Sequence, residues 1–254
     1  MPRPYPRSTP GRDAALAVIR RNIASHGYHV YVIGSGPHPR FAYTIGLSPR
    51  GGHELLFAGG LSYALPQVAG VLRLARDAVD AGRRRFDVEG LGSFELVEAH
   101  RSWSRDLLLG AFDYYQRADI EALQIVPDEE HATIDTPRTW VPWDPLVEPM
   151  WAALRPQPRP PVPVHWMALT SLQVLRGERI THAARFAEDA WDLLAGGRRV
   201  TIEEARGVPL GLLLAHDPTL RPVLDIAVGR ELVRDRAKPW RTPDGASSAE
   251  SSRS

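Results

Sequence analysis

The stretch YHVYVIGSGPHPRFAYTIGL, residues 28–47, decides the fold. Its centre, Val32-Ile33-Gly34-Ser35-Gly36-Pro37, looks like the opening of a dinucleotide-binding fingerprint. That fingerprint needs a third small residue and then a helix whose N-terminus faces a pyrophosphate. Pro39 occupies the third position instead, and residues 41–45 are strand-like. Prolines at 37 and 39 obstruct a tight helix entry. The stretch therefore predicts a hairpin, with strands over 28–33 and 41–47 joined by a glycine-proline turn. No nucleotide site is expected in that turn.

Working outward, Leu16, Ile19 and Ile23 recur at helical spacing, so residues 13–25 predict a helix with Gly27 as its stop. After the hairpin come a short buried strand over 55–58 and a helix over 63–81 with its stripe on Val68, Leu72, Ala75 and Val79. A strand over 94–99, a helix over 107–116 and a last strand over 122–126 follow. Arg83-Arg84-Arg85 comes just after Gly82 at a helix end, where cations complement the dipole.

Composition changes at Arg155-Pro156-Gln157-Pro158-Arg159-Pro160-Pro161-Val162-Pro163. Such a run favours polyproline II and predicts a stiff spacer. A smaller domain is expected beyond it, with strands over 166–175, 180–186 and 190–194 and then two helices. Thr201-Ile202-Glu203-Glu204 has capping-box spacing for the first, and Asp217-Pro218 pairs an N-cap with a first-turn proline for the second. The expected organisation is an α+β domain over 11–150, a proline-rich linker over 151–163, a smaller α+β domain over 164–240 and a disordered tail over 241–254. Each domain is expected to hold a mostly antiparallel sheet with packed helices.

The 254 residues are 43% hydrophobic and 24% charged, enough to form buried cores. A net charge of +1 gives no field favouring nucleic acid or an anionic membrane. With no cysteine, disulfides, thiolate metal sites and a cysteine nucleophile are excluded. Residues 1–7 lack the apolar core of a signal peptide, and no apolar run is long enough to span a bilayer. A cytoplasmic protein is expected. There is no Gly-x-Ser-x-Gly elbow and no phosphate-binding P-loop sequence. The nine histidines include no His-Glu-x-x-His arrangement, so neither metal nor cofactor is expected.

One constellation could carry chemistry. Phe41-Ala42-Tyr43-Thr44-Ile45-Gly46-Leu47 is followed by Gly51-Gly52-His53-Glu54-Leu55. A histidine beside a carboxylate can do acid–base work near neutral pH, and a glycine-flanked loop between strands is a common place for it. The candidate site is thus His53 and Glu54, with Tyr43 and Thr44 as nearest partners. The alternative is that Tyr43 packs in the core while Thr44 and His53 make local hydrogen bonds.

These residues resemble the bacterial domain of unknown function family 4262, with its aromatic-x-Tyr-Thr-x-Gly-Leu strand and Gly-His-Pro-Glu-Leu loop. The resemblance continues through Gly59-Gly60-Leu61 and Ala122-Leu123-Gln124-Ile125-Val126-Pro127-Asp128 and covers about residues 26–145. The proline between His and Glu is missing here. The family implies a domain and no reaction.

In the second half, Glu188-Asp189-Ala190-Trp191-Asp192-Leu193-Leu194-Ala195-Gly196, Asp217-Pro218-Thr219-Leu220, Gly229 and Arg234 resemble the domain of unknown function family 2185. Ala190 and Leu232 replace its usual glycine and phenylalanine. The group includes predicted immunity proteins of bacterial toxin systems, so the resemblance implies a binding surface and a toxin as partner. Trp191, Asp217 and Arg234 are its candidate binding or structural residues. Taken together, the sequence leads to a non-catalytic protein-binding or immunity-like protein. A small hydrolase-type enzyme around His53 and Glu54 is the alternative.

Overall fold

The computed structural model describes residues 10–48, 52–117, 119–155, 162–196, 200–235 and 238–243. The chain divides into two compact units, Met1–Pro156 and Gln157–Ser254. Most of the proline run, Gly51 of the candidate loop, and the tail beyond residue 243 lie outside the described residues.

The first unit runs α1 (Pro10–His26), β1 (His29–Ile33), β2 (Phe41–Ile45), β3 (Glu54–Ala58), α2 (Leu65–Asp80), β4 (Arg85–Val88), β5 (Gly92–Glu98), α3 (Arg101–Leu107), α4 (Leu109–Tyr115), β6 (Ala122–Pro127) and a 3-10 helix over Pro149–Leu154. Gly27 ends α1 with φ of +85°, and its N–H donates to Ile23 O at 2.8 Å. The hairpin pairs His29 with Ile45 and Ile33 with Phe41. Its turn is closed by the Gly36 N–H donating to His38 O at 3.0 Å. Strand follows glycine turn follows strand, so the helix that a dinucleotide fingerprint requires is not at this turn.

The six strands order as β1-β2-β3-β6-β5-β4. Every pair is antiparallel except β3 with β6. Helix α2 lays Val68, Val71, Leu72, Ala75 and Ala78 in one core with Ala42, Leu55, Phe57, Phe94 and Leu123 of the sheet. Alternation along β2 turns Tyr43 to the other face, where the Gly110 N–H of α4 donates to its hydroxyl at 2.9 Å. Trp103, Leu107, Leu108 and Ala111 are buried on α3 and α4.

Two expectations in this unit need correction. The arginine run does not simply end a helix: Arg85 opens β4 and pairs across the strand with Glu95 at 3.2 Å. β4 carries no alternating apolar signal in the sequence, because only Phe86 of its four residues is buried. The helix expected over 107–116 is two helices that break at Leu108. The first begins earlier, because the Nδ1 of His100 accepts from the Ser102 N–H at 3.2 Å and caps α3.

The second unit runs β7 (Met167–Ser171), α5 (Leu172–Leu175), β8 (His182–Ala187), β9 (Ala190–Leu194), β10 (Ala205–Pro209), α6 (Leu210–His216), a 3-10 helix over Pro218–Asp225 and β11 (Arg230–Val233). Its sheet orders as β10-β7-β9-β8-β11, and β7 with β9 is its parallel pair. Both units are therefore α+β with mixed sheets, each mostly antiparallel.

The long strand expected over 166–175 stops at Ser171, whose Oγ accepts from the Val174 N–H at 3.3 Å and starts the turn α5. The capping-box sequence at Thr201 starts no helix. It closes a turn, with the Ala205 N–H donating to Thr201 O at 2.9 Å, and delivers the chain into β10. Gly207 and Pro209 lie where that helix would have continued, and both disfavour it. Asp217 does cap the helix that follows it: its side chain accepts from the Thr219 N–H at 3.0 Å.

Candidate functional site

Of the four candidate residues the structure joins two, Glu54 and Thr44. Glu54 is not in a loop but is the first residue of β3, and it is fully buried. Its Oε2 accepts from the Thr44 hydroxyl at 2.7 Å. Its Oε1 accepts from the N–H groups of Gly46, Leu47 and Ser48 at 3.0–3.1 Å and from the Tyr115 hydroxyl at 2.6 Å. Thr44 Oγ1 in turn accepts from the Leu55 N–H at 2.8 Å. The chain leaving β2 therefore wraps its amides around the carboxylate that opens β3.

A buried charge of this kind persists only when it is fully hydrogen-bonded, and here five donors meet it. Burial raises the Tyr115 phenol far above its ordinary value, and the adjacent Glu54 carboxylate raises it further. Tyr115 thus remains a hydrogen-bond donor. Tyr43 is likewise pushed up, first by burial, and stacks on Tyr31 with ring centroids 5.7 Å apart. Both are packing and anchoring groups.

His53 goes elsewhere. Its Nε2 lies 3.7 Å from Glu121 Oε2 at the surface, and no contact joins its ring to Glu54. Neighbouring positions entering a strand point apart, so the dipeptide does not form an acid–base pair.

A second buried carboxylate was not legible beforehand. Asp135 accepts from the Leu61 N–H at 2.9 Å and the Thr133 hydroxyl at 2.6 Å. Burial above all raises its carboxyl, and the nearby Arg40 opposes that rise. Arg40 itself donates to the carbonyls of Gly60 and Tyr63. Gly59, with φ of +88°, passes so close to Asp135 that a Cβ there would sit 2.6 Å from its carbonyl oxygen. This network ties the segment after β6 to the loop after β3. Among the described residues, no group of three or more His, Asp or Glu is placed to hold a metal ion.

In the second unit the structure brings Asp217 and Arg234 together and keeps Trp191 apart from them. Arg234 is buried. Its guanidinium donates to Asp217 Oδ2 at 2.9 Å, Thr219 Oγ1 at 2.6 Å and Ile180 O at 2.7 Å, beneath the ring of Trp240. Trp191 is fully buried and donates from Nε1 to Val223 O at 3.2 Å. All three side chains make hydrogen bonds within the unit.

The accessible feature of this unit is the other side of its sheet. Ala168, Thr170, Trp191, Leu193 and Ala183 face the buried side. Alternating with Ala168 and Thr170, Met167 and Leu169 of β7 lie on the opposite side and remain 39% and 40% exposed. Asp192 lies on β9, the central strand, paired with Leu169 on one side and Ala184 on the other. Burial raises its carboxyl above the ordinary range, with His182 pulling the other way. His182 is itself bonded to Glu231 at 2.8 Å. Asp192 lies next to Trp191 in sequence, but nothing in the sequence marks it, because its setting depends on the register of three strands.

The model of the family described as "Domain of unknown function (DUF4262)" matches residues 22–133. That segment contains Glu54 and four of its five donors from β2 and the loop behind it, as well as Tyr115. No curated protein and no solved structure matches the chain. The resemblance of residues 164–236 to family 2185 receives no support from these comparisons.

Proposed function

We propose that the chain is a non-catalytic binding protein that takes a protein partner on the open face of its second sheet. The observation that carries this is the exposure of Met167 and Leu169 beside Ala184 and Asp192, opposite a side of the same sheet packed with Trp191 and Leu193. An antiparallel-rich sheet normally places polar residues on its solvent face. Contiguous apolar side chains there mark interaction surfaces. A toxin-neutralising role is the specific form of this proposal that the family 2185 resemblance implies.

The alternative, a hydrolase-type site at His53 and Glu54, has the geometry against it. Both Glu54 oxygens are engaged by the protein's own donors, and His53 turns away from them. The proposal is tested by placing a photo-crosslinking amino acid at Leu169 and, as control, at the exposed Leu65 of α2, in the organism that encodes the protein. A discrete crosslinked protein from position 169 and none from position 65 is the expected result. Equal labelling from both positions, or none from 169, counts against it.

A further inference from the structure

Among the described residues, Asp192 has no hydrogen bond and no ion pair. It occupies the middle strand of the open face, with Leu169 and Ala184 directly beside it in register. The other charged groups turned to this side, His182 and Glu231, are bonded to each other. In the register of the sheet, Arg185 pairs with Trp191, Arg206 with Thr170 and Arg230 with Arg185, all on the side away from Asp192, so none of the strands' arginines meets this carboxylate. The face therefore carries an acidic group set between Leu169 and Ala184, whose nearest basic neighbour, His182, is already bonded to Glu231.

A half-buried carboxylate without a partner is unfavourable in the free protein. The same arrangement suits the centre of an interface, where a desolvated polar contact is surrounded by apolar groups that exclude water. Charge complementarity then specifies the occupant. We infer that Asp192 is the anchor for an arginine or lysine side chain of a protein partner, presented between aliphatic residues that cover Met167 and Leu169. This inference rests on the open face being the binding surface and names the chemistry of what binds there. An arginine suits the site best, since its planar guanidinium can bond a carboxylate through two N–H groups and lie flat on neighbouring apolar surface.

The test uses a phage-displayed library of random peptides panned against the full chain. Selected peptides are then measured against the unaltered protein, Asp192→Asn and Leu169→Lys. Expected are peptides with a basic residue among aliphatic ones, weakened about tenfold or more by Asp192→Asn and abolished by Leu169→Lys. Leu169→Lys should retain the melting temperature of the parent, and Asp192→Asn should melt at or slightly above it at pH 7. Peptides lost on Leu169→Lys but indifferent to Asp192→Asn, or lacking any basic residue, would overturn the anchor while leaving the face as a binding surface. A library that yields no peptide sensitive to either change would overturn both. An Asp192→Asn protein that unfolds would make Asp192 structural and equally overturn the anchor.

Discussion

Asp217 and Arg234 lie seventeen positions apart and meet at 2.9 Å, closing the second unit over its 3-10 helix. The arginine is the more buried partner. Removing one member of a buried pair leaves the other charge uncompensated, at a cost of about 3–5 kcal/mol. Arg234→Met is therefore expected to lower the second unit's melting temperature strongly in calorimetry. Burial alone would raise the Asp217 carboxyl, yet its bonds to Thr219 and Arg234 hold it below the ordinary 3.8. A depressed carboxyl stabilises the fold above its unfolded value and ceases to do so as pH falls through the folded one. The unaltered unit should lose this contribution only below about pH 3.8, and Asp217→Asn should flatten that part of the acid-melting curve.

His53 and Glu54 should separate under mutation. Glu54→Gln cannot accept all five donors, and each charge-assisted bond lost is worth about 1.5–3 kcal/mol. Melting of the first unit should drop steeply for this variant. Surface pairs such as His53 with Glu121 contribute little, so His53→Asn should melt within a few degrees of the parent. Equal and small effects from both would mean that the Glu54 cluster does not hold the loop.

Tyr115→Phe removes one donor and leaves the other four. A loss of about 1–3 kcal/mol is expected in denaturant unfolding. The amides of Gly46 to Ser48 should also exchange hydrogen faster, because the carboxylate they bind is then less firmly placed. Unchanged exchange at those amides would speak against the tyrosine as an anchor.

Asp192 should behave in the opposite sense to Asp217. Its carboxyl is raised in the folded protein, so the ionised form opposes folding at neutral pH and that penalty fades as pH falls through the raised value. Asp192→Asn is expected to melt slightly higher than the parent at pH 7 and to match it below about pH 3.8. A lower melting temperature at pH 7 would show a structural bond to this side chain.

Limited proteolysis should cut within residues 156–163 and leave two fragments that melt independently, as the proline run and the two compact units lead one to expect. Joint melting, with neither fragment folding alone, would contradict this. Within the second fragment, Trp191→Ala should cost about 3–5 kcal/mol.

What the sequence made legible were features set by neighbours along the chain. Leu16, Ile19 and Ile23 marked α1, and the glycine-proline turn marked the hairpin, because helical period and turn chemistry are local. Asp217 as an N-cap was legible for the same reason. β4 was not, because Arg85 and Asp87 leave Phe86 as its only buried residue. Glu54 stands out in the sequence as a loop residue, whereas it is the first residue of β3. Its partner Tyr115 lies sixty-one positions away, and its other donors are mostly backbone N–H groups, which carry no side-chain signature. Asp135 and Asp192 were illegible because burial of a carboxylate depends on which elements the topology stacks against it.

The parallel pairing of β3 with β6 sets a timetable for assembly. β1, β2 and β3 are consecutive and can zip together as soon as residue 58 is available, whereas Glu54 finds its sheet neighbour Ala122 only after α2, β4, β5, α3 and α4 have been traversed. Contacts so distant along the chain form late and slow the search. On the ribosome, the apolar flank of β3, including Leu55 and Leu56, must therefore wait unpaired while the intervening helices emerge, a window in which a nascent chain is most prone to sticking to its neighbours.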